Sequence, residues 1–177
     1  VKKLIVVGIV FTAMVAVGFA HWKTIRYDSL IEKYSARYRL DFYLVKALIH
    51  EESRFNPKAV GPKGELGLMQ IMPGVGQEFW ERTNRTPYNP KRLLTPEHNI
   101  EVGCWYLRES FNMYRDSEDT LICGLARYNA GQTRVARWMT TKNPETRFID
   151  SIDIRATRDY VTRVVNRARR RSQNNLW

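Results

Sequence analysis

From residue 23 onward, apolar residues recur at three- and four-residue spacing, and no stretch alternates apolar with polar residues long enough to line a sheet face. That periodicity predicts an all-α chain. Asp41 stands as an N-cap before the run Phe42 to Glu52. Thr95-Pro96-Glu97 sets a capping hydroxyl, a first-turn proline and a first-turn carboxylate ahead of a helix running to Tyr114. The spacing also predicts helices over residues 27–38, through a short piece from Gly67 to Met72, up to Tyr128 before the stop Asn129-Ala130-Gly131, and from Tyr160 into Arg171. Asn56-Pro57 and Gly61-Pro62 break the chain into a loop. No repeat or low-complexity linker divides the 177 residues, so residues 23–177 are expected to form one domain with a substantial core.

The first 22 residues follow a different rule. Lys2 and Lys3 precede an uncharged run from Leu4 to Ala20, after which His21, Trp22 and Lys23 restore polarity, the pattern of an export signal. The run is long for a signal core of roughly 7 to 15 residues and reaches the shortest membrane-spanning helices of about 17. Gly18 and Ala20 have the spacing of a signal-peptidase site, whereas the unbroken run and Trp22 suit a retained anchor. Two readings stand: residues 1–22 are a signal peptide, or a signal anchor with membrane association through residues 4–20. Either carries the following domain across the membrane and leaves the paired lysines on the cytoplasmic side.

With 29 Lys+Arg against 18 Asp+Glu the net charge is +11, which calls for an anionic partner. Export and the lack of a recognition motif argue against nucleic acid and leave phospholipid or an acidic envelope polymer. Seven arginines between Arg155 and Arg171 face only Asp159. They form a solvated helix face, or a surface for anionic glycan, lipid or an envelope-complex partner. Cys104 and Cys123 lack any CxxC or Cys/His company, so neither metal nor cofactor is expected. Each is a small buried thiol in a helix, and a disulfide requires the two helices to pack side by side.

One carboxylate stands out. At about 100° per residue Leu40, Leu44, Val45, Leu48 and Ile49 form an apolar arc, and Glu52 projects near its centre, with Glu51 nearer the edge. Burial penalises a carboxylate's charged form, so such an acid stays protonated and can donate a proton. The competing reading turns Glu52 outward or pairs it with Arg54.

Three strings in order decide between these: Glu52-Ser53-Arg54-Phe55-Asn56-Pro57-Lys58-Ala59, then Gly64 to Pro73 containing GLMQIMP, then Ala126-Arg127-Tyr128-Asn129-Ala130-Gly131. Together they resemble the catalytic domain of the soluble lytic murein transglycosylases, relatives of goose-type lysozyme, over roughly residues 27–166. The resemblance implies a lysozyme-like α-helical fold and non-hydrolytic cleavage of the β-1,4 bond between N-acetylmuramic acid and N-acetylglucosamine in peptidoglycan, leaving a 1,6-anhydromuramic end. It makes Glu52 the single catalytic acid/base, because the sugar's own 2-acetamido group replaces a second carboxylate.

Carried over residue by residue, Gln70 offers an amide to an N-acetyl group or hydroxyl, and Met69 an apolar wall for a sugar face. Tyr128 presents its hydroxyl to the Glu52 carboxylate, and Asn129 an amide to the ligand. Ser53 touches substrate or satisfies its own helix end. Tyr160 matches the tyrosine of the family's late motif, here Thr157-Arg158-Asp159-Tyr160-Val161. The sequence departs from the family at Gly61, usually serine, at Glu65, usually alanine, and at Ala156, usually glutamate. These departures bear on the binding subsites, where Asp150 and Asp153 are candidates to compensate for Ala156. Two alternatives share the same cleft: a hydrolytic muramidase in which water attacks, and a non-catalytic peptidoglycan-binding or assembly protein.

Overall fold

The computed structural model describes residues 2–85, 87–143 and 145–174, without the side chains of residues 2–9, 19, 20 and 174. Nine α-helices and one 3₁₀ turn appear among the described residues, in the order α1 Lys2–Ile25, α2 Asp28–Arg37, α3 Phe42–Ser53, α4 Pro73–Arg82, the 3₁₀ turn Pro90–Leu94, α5 Pro96–Met113, α6 Thr120–Ala130, α7 Gln132–Thr141, α8 Phe148–Ser151 and α9 Arg155–Asn174. No strand occurs among these residues; two isolated antiparallel bridges, Val60 with Leu66 and Leu66 with Ile71, fall in the loop after α3. The all-α expectation holds.

The helix α3 forms where capping and periodicity agree. The Asp41 carboxylate accepts the Leu44 N–H at 2.7 Å, satisfying a first-turn donor. Val45, Leu48 and Ile49 then bury completely, each worth about 1.5–3 kcal/mol relative to exposure. α2 covers one flank of α3 and α9 runs along another, while α5 packs on α6, and α6 in turn meets α7 and α9. Tyr160, Val161, Val164, Val165 and Ala168 give α9 its buried face. The helix start at Thr95 lies where the sequence puts it, but the Thr95 hydroxyl makes no capping bond.

The Gly67–Met72 segment corrects the sequence reading. It is a turn-rich loop rather than a short helix, because Gly67 and Gln70 take φ of 77° and 49°, which a right-handed helix cannot accommodate. The helix α4 begins after it at Pro73, a start that the proline and the spacing of Val75, Phe79 and Trp80 signal locally.

Lys2–Ile25 is a single helix, and among the described residues no helix is long and apolar enough to cross a membrane. Much of the run from Leu4 to Ala20 falls on side chains outside the described set. Cys104 and Cys123 are both buried and unbonded, although their helices α5 and α6 pack together.

Candidate active site

The last turn of α3 delivers Glu52 to a half-buried position beside α9 and the loop of residues 54–72. There the Tyr160 hydroxyl, projecting from α9, donates to Glu52 Oε1 at 2.6 Å. Desolvation pushes the Glu52 carboxyl up to about 7; the Tyr160 bond opposes this, and the charges of Glu65 and Glu51 add to it. Burial also raises Tyr160 well above its usual range, so it stays a phenol and a donor. The outcome is an acid poised near neutrality, able to release a proton and take one back.

Backbone conformation is unusual around this acid. Arg54 and Phe55, directly after α3, take φ of 49° and 61°, and Gln70 takes 49°; such values cost of order 1 kcal/mol or more for non-glycine residues. The buried Phe55 ring and the Arg26 guanidinium, which donates to the Phe55 carbonyl at 3.2 Å, hold the first bend. Ser53 holds the second segment: its hydroxyl lies 2.7 Å from the Leu68 carbonyl and 3.2 Å from that of Ile49. The serine therefore ties the loop to α3 and satisfies its own helix end.

Two other expected contact residues shift role as well. Met69 is fully buried against α5, where a Cβ built on Gly103 would lie 2.3 Å from its sulfur. It is core, and Gly103 is glycine so that this methionine fits. Tyr128 does not reach Glu52 with its hydroxyl, which donates to the Met69 carbonyl at 2.8 Å. The tyrosine that orients the carboxylate is Tyr160, because α9, not α6, lies alongside the end of α3.

Gln70 stays half-exposed in the loop, its Nε2 donating to the Gly67 and Ala59 carbonyls at 2.9 and 3.3 Å. These bonds fix the amide and leave its oxygen beside Gly61. Asn129 ends α6 exposed, its Oδ1 accepting from Thr157 at 2.9 Å, which turns the NH₂ of the amide outward.

Several contributors carried no signal that was read from the sequence. Asn99 on α5 is completely buried: its Oδ1 accepts the Met69 N–H, and its Nδ2 donates to the Leu66 and Leu93 carbonyls, all at 2.7 Å. It supplies the loop with partners that a helix would have provided internally. A lone amide on the stripe Ile100, Gly103, Leu107 was the available clue. Glu51, nearer the edge of the apolar arc, is paired across the helices: Arg163 and Arg167 of α9 lie 2.8 and 3.3 Å from its oxygens. Burial pushes Glu51 up, but the bonds and charges of these arginines outweigh it and hold the carboxyl below its usual value. Two of the seven arginines thus lock α9 onto α3, while Arg169 and Arg170 stay on the exposed side. Arg54 makes no ion pair with Glu52 among the described residues. Asp153 is taken by Arg137 and the Trp138 indole at 2.6 and 2.7 Å, and Asp150 lies 3.3 Å from Arg147, so both are engaged outside the Glu52 site.

No group of His, Cys, Asp and Glu capable of holding a metal occurs among the described residues. The chemistry available at Glu52 is that of one desolvated acid and a phenol donor.

A family model described as the transglycosylase SLT domain matches residues 29–149. The chain is 33% identical over 143 residues to the soluble lytic murein transglycosylase of Escherichia coli strain K12, covering 78% of this chain and 22% of that protein. The solved 70 kDa soluble lytic transglycosylase from Escherichia coli superposes with a TM-score of 0.72 at 33% identity, over 80% of this chain and 23% of that one. An inactive glutamate-to-glutamine mutant of the lytic transglycosylase Slt from Pseudomonas aeruginosa gives 0.73 at 26% identity, over 84% and 24%. The chain spans about a quarter or less of the length of these relatives.

Proposed function

Because this chain belongs to the transglycosylase SLT domain family, whose all-α lysozyme-like fold it shares, we propose that it is a peptidoglycan lytic transglycosylase with Glu52 as its single acid/base. The observation that carries the reading is the Glu52 carboxyl, raised to about 7 by burial and oriented by Tyr160 at 2.6 Å.

Protonated Glu52 gives its proton to the glycosidic oxygen as the C1–O bond breaks and the electron pair leaves with that oxygen. The carbonyl oxygen of the 2-acetamido group bonds to C1 and spreads the positive charge into the amide. The C6 hydroxyl of the same muramyl residue then attacks C1, displaces the acetamido oxygen and delivers its proton to the Glu52 carboxylate. This closes the 1,6-anhydro ring and restores the acid. An internal nucleophile needs no positioned water, since well-oriented intramolecular reactions reach effective molarities of about 10⁵ M or more. Tyr160 serves both halves: it aims the acid first and stabilises the carboxylate between steps.

A substrate outside the cytoplasmic membrane gives the apolar N-terminal segment its purpose, as export signal or as anchor, and the exposed Arg169 and Arg170 face an anionic surface. The test is mass spectrometry of fragments released from purified peptidoglycan by the 177-residue chain and by Glu52→Gln. Fragments one water lighter than muramidase products, absent with the variant, are expected. Hydrated fragments would replace the reading with a hydrolase, and no fragments from folded protein would replace it with a binding or assembly role.

A further inference from the structure

In the fold, Gly61 and Glu65 share one volume. A Cβ built on Gly61 would lie 2.4 Å from Glu65 Oε2 and 2.6 Å from Gln70 Oε1. The glutamate carboxylate therefore fills the space that a side chain at position 61 would take. It is held there from two directions. The Lys63 N–H donates to Glu65 Oε2 at 2.8 Å, and the Gly61 N–H donates to the Glu65 carbonyl at 2.8 Å, closing the turn that carries the side chain. The bridges of Leu66 to Val60 and Ile71 fix the backbone immediately after it.

Glu65 differs from the other acid near the site. Glu51 is neutralised by Arg163 and Arg167, whereas Glu65 has no ion-pair partner among the described residues, and its second oxygen accepts no protein hydrogen bond there. Its charge acts on Glu52 directly, adding to the upward push on that carboxyl. A half-buried, anchored carboxylate with no ion-pair partner among the described residues, beside the Gln70 amide and with its charge felt at Glu52, is placed to act on a substrate bound there.

We propose that Glu65 is a second functional carboxylate of this site: a fixed negative charge, set in the space opened by Gly61, that faces the cation developing at muramyl C1 and its acetamido group. The inference rests on the transglycosylase reading and adds a second residue to it. Glu65 makes no covalent bond and moves no proton. The glycosidic electron pair leaves with the oxygen protonated by Glu52, the acetamido oxygen closes on C1, and Glu65 stabilises the positive charge spread over that ring. A preorganised charge aimed at charge that exists only along the reaction lowers the barrier without tightening ground-state binding.

Glu65→Gln tests this, because its amide oxygen can still accept the Lys63 N–H and preserve the turn. Two readouts are compared with the unmodified 177-residue chain. Turnover of purified glycan strands is expected to fall about 10- to 100-fold with KM within twofold. In calorimetric titration, a 2-acetamido iminosugar carrying an ammonium at the ring is expected to lose tenfold or more in affinity, while a neutral chitooligosaccharide binds as before. Unchanged iminosugar affinity, or equal losses for both ligands, would overturn the proposal. The binding comparison does not depend on lytic activity, so an unmodified chain that releases no fragments would overturn the transglycosylase reading and still leave Glu65 judged on charge selectivity.

Discussion

The Tyr160 hydroxyl donates to Glu52 Oε1 at 2.6 Å across a separation of 108 residues, which makes the docking of α9 on α3 part of the geometry of the proposed acid. Arg163 and Arg167 follow at one- and two-turn spacing on the same helix and clamp the neighbouring Glu51. One helix thus aims the acid and fixes the residue beside it.

Removing that hydroxyl separates aim from stability. The bond favours the charged form of Glu52, and hydrogen bonds to charged groups are worth about 1.5–3 kcal/mol. Tyr160→Phe is therefore expected to raise the Glu52 pKa further and to reduce turnover by about tenfold or more. The pH dependence of kcat/KM on peptidoglycan, set beside that of the unmodified chain, measures both effects. An unchanged profile would remove Tyr160 from the mechanism.

Glu52 also links stability to pH. Its carboxyl titrates near 7 in the fold against an ordinary value of 4.5, so the native state holds a proton that the unfolded chain releases. The associated stability is fully present below about 4.5 and lost as pH rises through about 7, a change of about 3 kcal/mol. Glu52→Gln lacks this term. Denaturant unfolding should show similar stability for the two proteins at pH 4 and a clear advantage for the glutamine variant at pH 8; parallel curves would mean that Glu52 is not desolvated.

Asn99 is the third point of leverage. Its three 2.7 Å bonds satisfy the Met69 N–H and the Leu66 and Leu93 carbonyls inside the core. Asn99→Leu takes this partner from the Met69 N–H and the Leu93 carbonyl, while the Leu66 carbonyl keeps the Ile71 N–H, and each buried orphan costs about 1–3 kcal/mol. A loss of about 3 kcal/mol or more in unfolding free energy is expected, together with loss of lytic activity, since the loop that carries Gln70 and Glu65 hangs on this amide. A variant as stable and active as the parent would show that the loop holds itself.

Local rules were legible in the amino-acid order. The Asp41 cap, the apolar face of α3 and the stop at Gly131 depend on residues within a few positions of each other, so periodicity and capping specify them directly. Spacing likewise put Glu52 at the end of an apolar arc, and the motif order gave it a neighbourhood. What spacing does not encode is which distant helix closes over that acid. Tyr128 and Tyr160 are both tyrosines on helices, and only the packing of α9 against α3 gives the carboxylate to one and a backbone carbonyl to the other. The same holds for Lys46, which lies on the buried side of α3 and is matched by Asp28 of α2 at 2.7 Å. Met69, Ser53 and Asn99 belong to the same class, because the loop closes only part of its backbone bonding within itself and takes its remaining partners from α3, α5 and α6. The sequence by itself determined the main helices and the candidate acid Glu52. The tertiary structure decided its orientation and its proton affinity, since these arise from burial and from contacts between segments that no local pattern relates.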